Sequence, residues 1–86
     1  MDLKILNESK DEIQVEFDNL TTPELLRVYL NKDPAVSFVA WKREHPTKNP
    51  ILVVRTSGKN PKKAINDSIK EITKELDKFA DEIKKL

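Results

Sequence analysis

Three observations predict an α+β fold, a two-layer sandwich of order β-β-α-β-β-α. Residues 12–18 alternate strictly between apolar and charged or polar side chains. Apolar runs at 36–44 and 51–56 frame polar turns, as paired strands do. From Ile65 onward, large apolar residues recur at helical spacing up to Leu86. Two hairpins joined through a helix make a four-stranded, mainly antiparallel sheet, with a short helix and a long C-terminal helix on one face. The 86 residues form a single domain, 1–86, near the small end of what folds alone.

The elements follow in order. Residues 3–6 are short and apolar enough for a strand, with a polar turn at 7–11. In the second strand Ile13, Val15 and Phe17 point one way, and Glu12, Gln14, Glu16 and Asp18 the other. Thr22-Pro23-Glu24 reads as a helix start, with Thr22 as the cap and Pro23 at the first helical position. Leu25, Leu26, Tyr29 and Leu30 follow at helical spacing, and Pro34 stops the helix after about ten residues. Its apolar arc, Val28 included, is wider than one sheet face requires. The surplus is either an intersubunit surface or a core helix with a stray Val28.

In the third strand, Val36, Phe38 and Ala40 are expected on one face and Val39 and Trp41 on the other. Residues 51–56 form a continuous apolar run, as a central strand does. Ser57-Gly58-Lys59 is the turn into the last helix, and Gly58, the chain's only glycine, suits a positive φ.

The last helix starts at Asn60, a good N-cap, with Pro61 at its first position. Its seam is Ile65, Ile69, Ile72, Leu76, Phe79, Ile83 and Leu86, with gaps alternating between four and three. That is a heptad repeat, the pattern of a helix lying along another helix. About 26 residues make a rod of roughly 39 Å. Four strands of about six residues give a sheet face only about 20 Å on a side. The rod should therefore overhang its own domain. Leaving Leu76, Phe79, Ile83 and Leu86 in water forgoes about 6–12 kcal/mol, an upper bound. A partner is expected; the alternative is a helix that bends back over its own sheet. Five acid-before-base pairs, from Asp67–Lys70 to Glu82–Lys85, read as a solvated face.

Composition narrows the function classes. Apolar residues make up 37% and charged residues 36%, so little core is available, which favours burying the seam between chains. There is no cysteine and one histidine, which excludes a zinc site of the His/Cys kind. The formal net charge of +1 argues against a dedicated nucleic-acid binder. No apolar run approaches a membrane span, and Met1-Asp2-Leu3-Lys4 lacks a signal-peptide pattern, so a cytoplasmic protein is expected. His45 sits in a turn beside Pro46 with no nucleophile or orienting group nearby in the sequence, and reads as a turn residue. One glycine rules out a glycine-rich phosphate loop. Lys59, Lys62 and Lys63 at the helix start are read as solubilising, and Trp41 as packing against a partner together with Val39. No catalytic, cofactor-binding or metal-ligating residue emerges.

The run Asp33-Pro34-Ala35-Val36-Ser37-Phe38-Val39-Ala40-Trp41, followed by His45-Pro46, resembles the archaeal RNA polymerase subunit L family. So do Pro50 before the fourth strand, the exit Arg55-Thr56-Ser57-Gly58, and Pro61-Lys62-Lys63-Ala64 at the start of the long helix. The similarity runs in order from residue 19 to the end. One departure is the entry to the first helix: the family's usual His-Thr-Leu-x-Asn-Leu-Leu is here Leu20-Thr21-Thr22-Pro23-Glu24-Leu25-Leu26, which lacks the His and the Asn.

The resemblance implies a non-catalytic assembly subunit of a DNA-directed RNA polymerase. Such subunits pair, helix against helix, with a larger alpha-like subunit, called D in archaea, and the pair is the platform for the large catalytic subunits. Nucleotidyl transfer belongs to those large subunits, so no cofactor is expected here. The expected dimer interface is Leu25, Leu26, Tyr29, Leu30, Ile69, Ile72, Leu76, Phe79, Ile83 and Leu86. A free-standing homodimeric scaffold is the alternative, and an isolated sample can self-pair under either reading. A small enzyme of similar layout, such as a pterin dehydratase, depends on several histidines, and this chain has one.

Overall fold

Period-two alternation and period-3.6 seams fold where the sequence places them. The computed structural model describes residues 3–86. The elements are β1 (Leu3–Glu8), β2 (Glu12–Phe17), α1 (Thr21–Leu30), β3 (Val36–Lys42), β4 (Ile51–Thr56) and α2 (Pro61–Lys84). The strands form one sheet in the order β1-β2-β4-β3, with every neighbouring pair antiparallel. The continuous apolar strand β4 is thus internal, as expected. Met1 and Asp2, part of the segment screened for a signal peptide, lie outside the described residues.

Both helices cover one face. Ile13, Val15 and Phe17 of β2 and Leu52 and Val54 of β4 meet Leu26 and Leu30 of α1 and Ala64 of α2 in a single buried cluster. The alternation of β2 is the cause: its charged positions face the opposite, open side. β1 runs two residues beyond the expected Leu6 and bulges there, because Ile5 faces Val15 while Asn7 faces Gln14. All six of its residues are exposed, since it is an edge strand that neither helix covers.

A second bulge corrects the expected faces of β3. Val36 lies opposite Thr56 and Phe38 opposite Arg55, which leaves Ser37 as the extra residue. Its hydroxyl donates to the Arg55 carbonyl at 3.2 Å. The extra residue reverses the parity before it, so Val36 joins Val39 and Trp41 against the core. Phe38 stays on the open face, 5.1 Å beneath the Arg55 guanidinium. Trp41 and Val39 therefore pack, partly buried, against the core of their own subunit.

The start of α1 also differs. The helix begins at Thr21, and Leu20 in the cap position supplies no side-chain bond. Asn19 fills that role instead: its Oδ1 accepts the Thr22 backbone N–H at 2.8 Å. Pro23 is the third helical residue, still within the turn whose N–H groups have no helical partner. The start of α2 follows the sequence closely. Asn60 Oδ1 accepts from the N–H groups of Lys62 at 2.9 Å and Lys63 at 3.2 Å, and Pro61 opens the helix. Gly58 has φ of 77° with open space around the missing Cβ, so the glycine serves the backbone angle.

One ionic clamp fixes where α2 leaves the sheet. Lys59 Nζ donates to Asp33 Oδ2 at 2.6 Å and reaches Asp67 Oδ2 at 2.8 Å. It joins the loop after α1, the turn before α2 and the second turn of α2. The Lys59 bond, with help from the Ala35 N–H, lowers the Asp33 pKa, and Lys59 is raised in return. The expected solubilising role of Lys59 gives way to this structural one. None of the five acid–base pairs along α2 closes into an ion pair among the described residues; Asp67 turns instead to Lys59 and Lys63. The helix ends at Lys84, short of the chain's last two residues.

Candidate interaction surface

The two ends of α2 have different surroundings. Pro61, Ala64 and Ser68 are buried, and Ile65 and Ile72 pack against the core. Beyond Ile72 every residue is exposed. Leu76 is 61%, Phe79 60% and Ile83 51% exposed. The helix does not bend back: the molecule is 44 Å along its longest axis and only 17 Å along its shortest. A rod of 24 residues is about 36 Å long, and its outer half lies beyond the sheet's cover.

At the root of this overhang lies an apolar groove of about 330 Å³. Ile13, Val15 and Phe17 form its floor. Leu3 and Ile5 of β1 make one wall, and Leu25 of α1 with Ile65, Ile69 and Ile72 of α2 make the others. Leu3 and Ile5 lie opposite Phe17 and Val15 in the sheet, so they share the helix-side face but have no helix above them. The groove and the distal seam join at Ile69 and Ile72 into one continuous apolar surface.

The expected interface residues fall into four groups. Leu76, Phe79, Ile83 and Leu86 are bare along the overhang, and Leu25, Ile69 and Ile72 line the groove. Tyr29 is half-buried, and its hydroxyl donates to Glu75 Oε2, fixing α1 against α2. That bond raises the Tyr29 pKa. Leu26 and Leu30 are 3% and 0% exposed and belong to the protein's own core, with Leu26 also lining the bottom of the groove. The wide arc of α1 resolves accordingly: Leu26 and Leu30 face the sheet, while Leu25 and Val28 face outward. Leu3 and Ile5 are the surface residues that sequence reasoning missed. The available signal was two apolar residues in a strand with no element left to cover it.

Among the described residues no group of three or more His, Cys, Asp and Glu is placed to hold a metal. His45 Nδ1 accepts the Thr47 N–H at 3.3 Å and lies 2.9 Å from Thr47 Oγ1, so the imidazole serves its own turn. Glu24 is the most perturbed carboxylate, lowered to about 2 by its bonds from Arg27 and then Trp41. Arg27 Nη2 stands 2.6 Å from it and Trp41 Nε1 2.5 Å, a clip that holds β3 to α1. No helix among the described residues is long and apolar enough to cross a membrane.

A small sheet domain carrying an apolar groove and a bare projecting helix is by class a protein-association module. The family comparison agrees: residues 5–82 match the RNA polymerase Rpb3/Rpb11 dimerisation domain, and the chain belongs to that family. Among curated relatives, the DNA-directed RNA polymerase subunit Rpo11 of Sulfurisphaera tokodaii is 31% identical over 100% of this chain and 97% of its own. The subunit of the same name from Methanocella arvoryzae is 36% identical over 92% of this chain and 89% of its own. The crystal structure of DNA-directed RNA polymerase subunit L from Thermoplasma acidophilum shares the fold, with a TM-score of 0.86 at 24% identity, over 98% of this chain and 86% of that one. The resemblance to the subunit L family is thus borne out.

Proposed function

We propose that this chain is a non-catalytic assembly subunit of a DNA-directed RNA polymerase. It pairs with the larger alpha-like subunit of that enzyme, and the pair is the cytoplasmic platform on which the large catalytic subunits assemble. The observation that carries the reading is the bare distal seam of α2, with Leu76, Phe79 and Ile83 each more than half exposed. Burying one such side chain is worth about 1.5–3 kcal/mol, so this surface supplies a driving force for association that the isolated chain leaves unused. Membership of a dimerisation-domain family supports the same reading.

Pairing uses the groove and the overhang together. A partner helix seated on the distal seam reaches Ile69 and Ile72, and its flank covers Leu3, Ile5 and Leu25. Co-expression with the alpha-like subunit from the same source tests this. A stable one-to-one complex is expected on size exclusion, and the complex is expected to recruit the large subunits. A chain that stays monomeric at high concentration with no affinity for the alpha-like subunit overturns the proposal.

A further inference from the structure

The seam of α2 has unequal borders. On the side toward α1 it is edged by Glu75 and Glu82, one heptad apart. The Tyr29 bond fixes Glu75 on that side. The opposite border carries Thr73 and Ala80, which have no charge.

This asymmetry bears on which partner fits. The exposed repeat is self-complementary in an antiparallel pair: Leu76 meets the copy's Phe79, and Ile72 meets its Ile83. A second copy is therefore the most available wrong partner. Antiparallel twofold packing brings like borders together, so Glu75 faces the copy's Glu82, and Glu82 the copy's Glu75. Charges at these border positions set partner choice in paired helices, and like charges there oppose association. Resting on the assembly reading above, we infer that the acidic border selects a helix with lysine or arginine along its facing edge and disfavours self-pairing.

The test uses the chain itself. The Glu82 side chain makes no hydrogen bond or ion pair among the described residues, so Glu82→Lys leaves the fold intact, as circular dichroism would verify. In an antiparallel self-pair this one change turns both like-charge couples into opposite-charge couples. Sedimentation equilibrium at low salt should show the variant self-pairing roughly tenfold more tightly than the wild type, because both charge couples change sign. The advantage should shrink in about 1 M NaCl, where screening acts over about 3 Å. The double variant Glu75→Lys/Glu82→Lys should pair with the wild type more tightly than with itself. A Glu82→Lys chain that self-pairs no more tightly than the wild type, or stays equally monomeric, overturns the charge rule. That outcome leaves the assembly reading standing, because only failure to bind the alpha-like subunit removes it.

Discussion

The two halves of α2 carry one repeat and receive opposite treatment. In residues 61–72 Ala64, Ile65 and Ile72 pack against the core, and Ala64 is fully buried. In 73–86 the same spacing continues over open solvent, with Phe79 60% exposed. Identical periodicity therefore does not mean identical burial. The sheet is finite, and the helix outgrows it. The near half stabilises the monomer, and the far half adds no burial to it; under the proposed function that half is the one that serves the partner.

Mutations separate these two roles. The largest effect expected is on pairing. Leu76→Asp or Phe79→Asp leaves a carboxylate buried and unpaired in the complex, at a cost of about 3–5 kcal/mol or more. Isothermal titration with the alpha-like subunit should then show binding weakened at least a hundredfold, while the thermal midpoint of the isolated chain hardly moves. Normal association of both variants would place the interface elsewhere. Leu30→Ala should do the reverse. It empties a fully buried site and is expected to destabilise the monomer by about 2–5 kcal/mol in urea unfolding. Asn60→Ala removes the cap of α2 and should cost about 1 kcal/mol in the same assay.

The smallest expected effect is electrostatic. Glu24 titrates at about 2 in the folded chain, below the roughly 4.3 of an unfolded glutamate. Its contribution is therefore present above the unfolded value and fades as pH falls toward the folded one. Asp33 and Asp67 are lowered as well, and act in the same direction. Urea midpoints should decline between about pH 5 and pH 2, and Trp41→Phe, which removes one of the bonds to Glu24, should flatten part of that decline. An unchanged slope in Trp41→Phe would mean that Arg27 alone holds the carboxylate.

Much of this was legible in the residues. Strict alternation at 12–17 placed the core face of β2, and the apolar seam placed the overhang. Asn60-Pro61 and Gly58 marked the entry to α2 because each answers a local backbone need. What stayed hidden depended on tertiary context. The bulge at Ser37 has no signature in composition, yet it turns Val36 from one face to the other. The broad apolar arc of α1 did not reveal that Leu26 and Leu30, rather than Leu25 and Val28, would meet the sheet. The groove needed Leu3 and Ile5 from a strand whose edge position becomes known only once the order β1-β2-β4-β3 is.

The Lys59 clamp grips α2 only at its root, through Asp33 and Asp67. Ile72 and the Tyr29–Glu75 bond hold the helix a little further along, and past them it behaves as a lever arm, so a small angular error at the root is magnified at the tip. Fourteen residues span about 20 Å, and a swing of about 5° carries the far end about 2 Å sideways, enough to misalign a knob with its hole. On the proposed pairing, a lysine at the root of the helix thereby helps to aim the contacts made at its tip.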